Sequence, residues 1–287
     1  MFTCEERVGP QLCGASTANY PADAGAAARL GQFAAAIIVG IAALAWAAPA
    51  AAYRPFDGTD AAVADVGEVE VELQPLGAAR AGGTTRGLSD TIVNYGFADR
   101  WELVLQTTPQ VPPEGFGPIS VSNAALLKYV VQPGVLQEKP GPSIATEFGA
   151  LLPEFGGSGI GASWTGIVSQ RWDWGTVHFN LAANLTPDQH AEVFVDTIIE
   201  GPHKWEVRPV AEFYFDNVFN GEQTYSALVG AIWQVNDKLS FDVAVRYALV
   251  DGRPVSEFRA GLTFGFPLNF GKPSAAQMPN PALIGRR

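Results

Sequence analysis

The chain is poor in cysteine, charge and histidine, and each shortage excludes something. Its two cysteines, Cys4 and Cys13, lie within the first thirteen of 287 residues. The rest of the sequence can form neither a disulfide framework nor a thiolate metal site. Only 16% of residues are charged, whereas soluble proteins carry about 25%. The net charge of -11 excludes nucleic acid as a partner. Three histidines, His178, His190 and His203, are not spaced as zinc ligands. No glycine-rich loop follows a strand in the pattern that cradles phosphates, so neither ATP nor another cofactor is expected. Beyond residue 52 no apolar run approaches the roughly 20 residues of a membrane-spanning helix.

The one long apolar run is FAAAIIVGIAALAWAAPAAA, Phe33–Ala52. It follows Arg29 and ends in small residues, the pattern of a cleavable export signal. Cleavage is expected between Ala52 and Tyr53, and it removes both cysteines. The stretch before the run is long for a signal and carries Glu5, Glu6 and Asp23. The division is then 1–52 signal peptide with an N-terminal extension, 53–266 one β domain, and 267–287 a proline-rich periplasmic tail.

What fills 53–266 is alternation with a period of two. GEVEVEL sets Glu68, Glu70 and Glu72 against Val69, Val71 and Leu73. GTVHFNLAAN sets His178 and Asn180 against Val177, Phe179 and Leu181. KWEVRPVAEFYFDN sets Glu206, Arg208, Glu212 and Asp216 against Trp205, Val207, Phe213 and Phe215. Twelve strands follow, near 66–75, 86–97, 101–109, 119–131, 142–152, 161–171, 175–185, 191–200, 204–216, 222–235, 239–250 and 255–266. Connections after even-numbered strands are mostly short, and those after odd-numbered strands tend to be longer and rich in proline and glycine. QPGVLQEKPG after the fourth strand breaks that rule. Pro209 removes one ladder hydrogen bond, so a bulge or local distortion is expected there.

A soluble sandwich would turn a face rich in Lys, Ser and Thr to water. Here the polar face is small or mixed, and the apolar face is continuous from strand to strand. Trp101, Trp172, Trp174, Trp205, Trp233, Phe264 and Phe266 stand near strand ends. Even strand number, alternation, aromatic ends and an export signal together define an all-β transmembrane barrel, in which the polar set points inward.

The segments YRPFDGTDAAVADVGEVEVEL, NYGFADRWEL, LLKYVV, VHFNLAAN, VAEFYFD and FRAGLTFGF resemble, in order, a bacterial outer-membrane barrel family. It is the transporter family of the meta-pathway phenol-degradation type. The resemblance implies an outer-membrane channel without enzymatic activity, moving small solutes passively, aromatic or other small organic compounds among them. It implies outer-membrane lipid, lipopolysaccharide and the barrel-assembly machinery as partners. Phe264 and Phe266, with Phe270 as an alternative end, look like the assembly signal.

Parity gives the lumen-lining candidates. They are Glu68, Glu70, Glu72, Glu102, Glu147, Glu192, Asp196, Glu206, Glu212, Asp242 and Glu257, against Lys128, Arg208, Arg246 and Arg259, with His178 and Asn180 between. Two readings stay open. The acids and arginines pair and fill a structural barrel, whose outer loops bind a partner, PQVPPEGFGP first among them. Or the excess acid lines a water path that favours cations.

Overall fold

In the computed structural model, residues 54–111, 120–154 and 159–268 are described. The signal run, the Ala52–Tyr53 junction, most of PQVPPEGFGP, Phe270 and the tail from 269 lie outside them.

Twelve antiparallel strands close into a barrel, β1 pairing with β12. They are β1 Glu68–Ala81, β2 Thr84–Ala98, β3 Trp101–Val111, β4 Ser120–Gln132, β5 Ser143–Leu152, β6 Gly161–Trp172, β7 Gly175–Leu185, β8 Ala191–Glu200, β9 Val207–Val218, β10 Gln223–Asn236, β11 Leu239–Val250 and β12 Arg253–Pro267. Closure leaves no strand edge and satisfies the backbone without water, as lipid requires. No described helix is long and apolar enough to cross a membrane.

The pleat sorts the side chains as the alternation predicts. On β9, Glu212 is fully buried while its neighbour Phe213 is 52% exposed. Trp164, Phe179, Leu181, Val229, Val245 and Phe258 are similarly exposed on the outer wall. Such a surface is an aggregation hazard in water and a favourable contact in lipid. At the rim where β1 starts and β12 ends, aromatics pair into a girdle. Trp101 and Tyr129 lie 4.5 Å apart, and Trp172 stacks on Trp174 at 5.4 Å. Phe264 and Phe266 stack there too, facing outward.

Three local expectations change. β1 runs to Ala81 rather than 75, because a bulge over Gln74–Gly77 shifts its register against both neighbours. The extra residue reverses parity, so Glu70, Glu72 and Gln74 point inward before the bulge and Ala79 after it. β1 then turns to β2 through Gly82 and Gly83, both at positive φ, a tight hairpin on the side expected to carry longer loops. Pro209 makes no bulge, and the β9–β10 register runs unbroken through Ala231↔Pro209. Its missing N–H faces β8, where β8 has already ended at Glu200, and its carbonyl accepts from Gly201 N at 2.8 Å.

Candidate functional site: the lumen and the segment inside it

Residues 54–67 precede β1 and pass through the barrel interior. Their apolar residues, Phe56, Ala61, Ala62, Val63, Ala64 and Val66 among them, do not alternate with the polar ones, so no strand claims them. The inward polar groups bind their backbone instead. Glu102 accepts from Ala64 N. Ser169 Oγ accepts from Ala61 N at 3.0 Å, and Asn180 Oδ1 from Thr59 N at 3.2 Å. Glu212 Oε1 accepts from both Asp57 N at 2.7 Å and Gly58 N at 2.9 Å. These acceptors stand on β3, β6, β7 and β9, so the segment is held from several sides of the wall.

Its side chains add charge pairs. Arg259 on β12 donates to Pro55 O at 2.9 Å and to Asp57 Oδ1 at 3.0 Å. Lys128 on β4 reaches Thr59 Oγ1 at 3.0 Å and Asp60 Oδ1 at 3.3 Å. Arg54 lies 3.3 Å from Asp90 and 3.7 Å from Asp242. Burial pushes the Asp57 carboxyl up, and Arg259 and Arg246 more than reverse this, holding it below its usual value. Two close approaches depend on glycine. A Cβ on Gly58 would stand 1.9 Å from Asp196 Oδ2, and one on Gly96 would stand 2.3 Å from the Ala64 and Asp65 carbonyls.

The connection QPGVLQEKPG also joins this arrangement. Its single 3-10 turn, Val135–Gln137, places Leu136 against Ala61, Ala145 and Ile167. Gln137 Nε2 donates to Ala61 O at 2.9 Å. The length that broke the loop pattern is spent on closing over the segment.

The lumen candidates fall into several settings. Glu70, Glu72, Glu102, Lys128, His178, Asn180, Asp196, Glu212, Asp242, Glu257 and Arg259 are buried inside the barrel. Glu147 stands beside Lys128 in register. Arg246 binds Glu257 and the Tyr214 hydroxyl. Glu192 accepts from Asn184 at 3.2 Å nearer the far mouth. Glu68 and Arg208 sit at the terminal rim, paired with Lys238 at 3.1 Å and Glu200 at 3.3 Å. Glu206 is not on a strand. It is exposed in the β8–β9 connection, because β9 begins only at Val207.

Sequence reading missed Asp57, Asp60, Asp90, Ser169 and Glu200. Asp90 was hidden because β2 carries apolar Leu88 and Ile92 on the same inward face. Ser169 Oγ lies 2.8 Å from His178 Nδ1, and His178 Nε2 lies 3.2 Å from Glu200 Oε1. This is the connectivity of a hydrolytic triad. However, Ser169 is fully buried under Ala61, and none of the three borders the cavity. The trio holds the segment.

A cavity of ≈1210 Å³ remains beside the segment. Its lining includes Arg86, Gln110 and Arg253 at the far rim, and Glu68, Glu138 and Arg171 at the terminal rim. Among the described residues no group of acids, histidines or cysteines is arranged to hold a metal ion.

A closed twelve-strand barrel with an apolar outer wall and a polar, ion-paired lumen has the fold of the bacterial outer-membrane β-barrels. No protein-family model and no curated protein sequence matches the chain. Among solved structures it is similar to the COG4313 outer membrane channel from Pseudomonas putida F1, with TM-score 0.50 and 11% identity, over 74% of this chain and 100% of that one. The KdgM porin is a further neighbour, with TM-score 0.46 and 10% identity, over 69% of this chain and 99% of that one.

Proposed function

We propose that the protein is a passive outer-membrane channel for small solutes, narrowed by its own N-terminal segment. The observation that carries this reading is the cavity lining, which includes residues of both rims although residues 54–67 occupy part of the lumen. An aqueous path favours solutes small enough to pass the segment, aromatic or other small organic compounds among them. The likeness in fold to the COG4313 outer membrane channel agrees with this use of the barrel.

The preference is for cations. Four carboxylates, Asp57, Asp196, Glu212 and Glu257, meet two guanidiniums, Arg246 and Arg259, where the segment crosses β9 and β12. Around Lys128 stand Asp60, Glu70, Glu102 and Glu147. Excess negative charge lowers the entry energy of a cation and raises that of an anion, within a screening length of about 8 Å in physiological salt. Planar-bilayer recordings under a salt gradient test the reading. A cation-sided reversal potential is expected, and an anion-sided one would overturn the preference. Absence of conductance under all conditions would favour the second reading, a filled structural barrel, which the density of contacts around residues 54–64 supports.

A further inference from the structure

The outer wall of the barrel carries a single charged side chain. On every strand the Asp, Glu, Lys, Arg and His residues share the inward parity, save one. Arg80 on β1 pairs with Ser256 on β12 and Thr85 on β2, while Ala79 beside it is buried inward. Arg80 therefore points outward, and it is exposed. No carboxylate among the described residues comes within ion-pair distance of it. A cation facing lipid is costly at the midplane and close to neutral at the interface. Arg80 stands two residues before the Gly82–Gly83 turn, which places it at the far rim, at headgroup height. The connections 112–119, 153–160 and 186–190 leave from the same rim. Longer loops mark the cell exterior in bacterial barrels, so Arg80 meets the outer leaflet.

Toward the midplane from Arg80 the wall is hollowed. A groove of ≈540 Å³ opens on the lipid side, and its lining includes Ala78, Ala227, Tyr247, Ser256 and Phe258. Ala78 precedes Arg80 on the same face, and Ser256 is its partner in register. The hollow arises because Ala78, Ala227 and Ser256 are small where Tyr247 and Phe258 stand out, 55% and 44% exposed. Lipid is as apolar as this groove, so burial of apolar surface favours no particular occupant. Close contact with a chain that fits, and a charge placed above it, do.

We propose that Arg80 and this groove form a lipopolysaccharide site, with a lipid A phosphate on the guanidinium and an acyl chain in the hollow. A guanidinium offers a phosphate two parallel N–H donors, stronger than bonds between neutral groups. Thr85 and Ser256 flank Arg80 with hydroxyls that can bond the phosphate or its sugar. The lipid's phosphate lies at the rim and its chains run inward, the order in which Arg80 and the groove follow one another on the wall. No other outward strand position carries a cation, so the wall holds this headgroup in one place. The site is independent of the channel reading, because Ala78, Arg80, Ala227 and Ser256 line no part of the lumen cavity.

The test is native mass spectrometry of the full mature chain in detergent, titrated with a deep-rough lipopolysaccharide. One lipid retained per chain is expected. Arg80→Gln should weaken its binding about tenfold, the loss expected for hydrogen bonds to a charged group. Ala227→Phe fills the hollow with Arg80 in place and should weaken binding as well. Ala183→Phe on β7, across the barrel, should bind as the wild type does. Heat-modifiable migration of all three variants reports an intact wall. The wild-type chain alone supplies a further arm, since lipid A stripped of its phosphates should bind about tenfold more weakly than the intact lipid. Equal affinity of Arg80→Gln and wild type, or of stripped and intact lipid, overturns the phosphate contact. Full binding by Ala227→Phe overturns the groove. Phosphatidylglycerol held as tightly as lipopolysaccharide overturns the choice of occupant.

Discussion

Arg259 and Asp57 are 202 positions apart in the chain and 3.0 Å apart in space. The same guanidinium also donates to Pro55 O and Glu257 Oε1, so it ties the entering segment to the wall of β12. Removing one partner leaves a buried charge uncompensated. Arg259→Gln should therefore destabilise the folded barrel by about 1.5–3 kcal/mol, the range for hydrogen bonds to charged groups. Asp57→Asn should cost less, because Asp57 is the more exposed partner. Urea unfolding in detergent with the double-mutant cycle reads the coupling, and additive effects would show that the pair does not hold the segment.

Phe213 and Glu212 are chain neighbours on opposite faces of β9. Phe213→Lys puts a charge into lipid and should cost about 2–4 kcal/mol near the midplane. Glu212→Gln keeps an acceptor for the Asp57 and Gly58 amides and should cost far less. Glu212→Lys is not a benign control, since it removes that acceptor from a fully buried position. Reversible folding into bilayers measures all three. Equal costs for Phe213→Lys and Glu212→Gln would contradict the assignment of faces.

Most of the barrel was legible because lipid imposes a strict rule. Every second residue on β7, β9 and β11 must be apolar, so the period of two is clean and strand number and facing follow from it. Legibility failed where tertiary context decides. Gly77–Ala81, small residues apart from Arg80, carry no alternation, so the far end of β1 falls outside the strand that the sequence marks at 66–75. Glu206 has strand parity, but β9 starts one residue later. Pro209 looked disruptive because its position at the end of the β8 pairing is not local information. The segment 54–67 left one trace, a mixed run without periodicity, and its path depends on acceptors on β3, β6, β7 and β9 and on the donors Lys128 and Arg259.

Ser169→Ala removes the acceptor for Ala61 N and the contact to His178. A loss of about 1 kcal/mol in unfolding free energy is expected, the usual worth of one hydrogen bond. Labelling by a serine-directed fluorophosphonate should be absent from the wild-type chain, because Ser169 has no access to the cavity. Stoichiometric labelling at Ser169 would overturn the structural role and make the trio a reactive site.

Gly58→Val should be tolerated by the strands and not by the segment, since a Cβ there meets the Asp196 carboxylate. The barrel should still migrate faster unboiled than boiled on a gel, while the segment becomes open to protease. Loss of the compact form would mean that the wall depends on the segment for folding.

The central claim is that the chain's own N-terminal segment sets the width of the lumen. Single-channel conductance of the mature chain against a variant lacking residues 54–66 tests it most directly. The account predicts a several-fold larger, still cation-preferring conductance in the shortened chain, on a barrel that keeps its heat-modifiable migration. Equal conductance in the two chains, with the barrel intact, would contradict it.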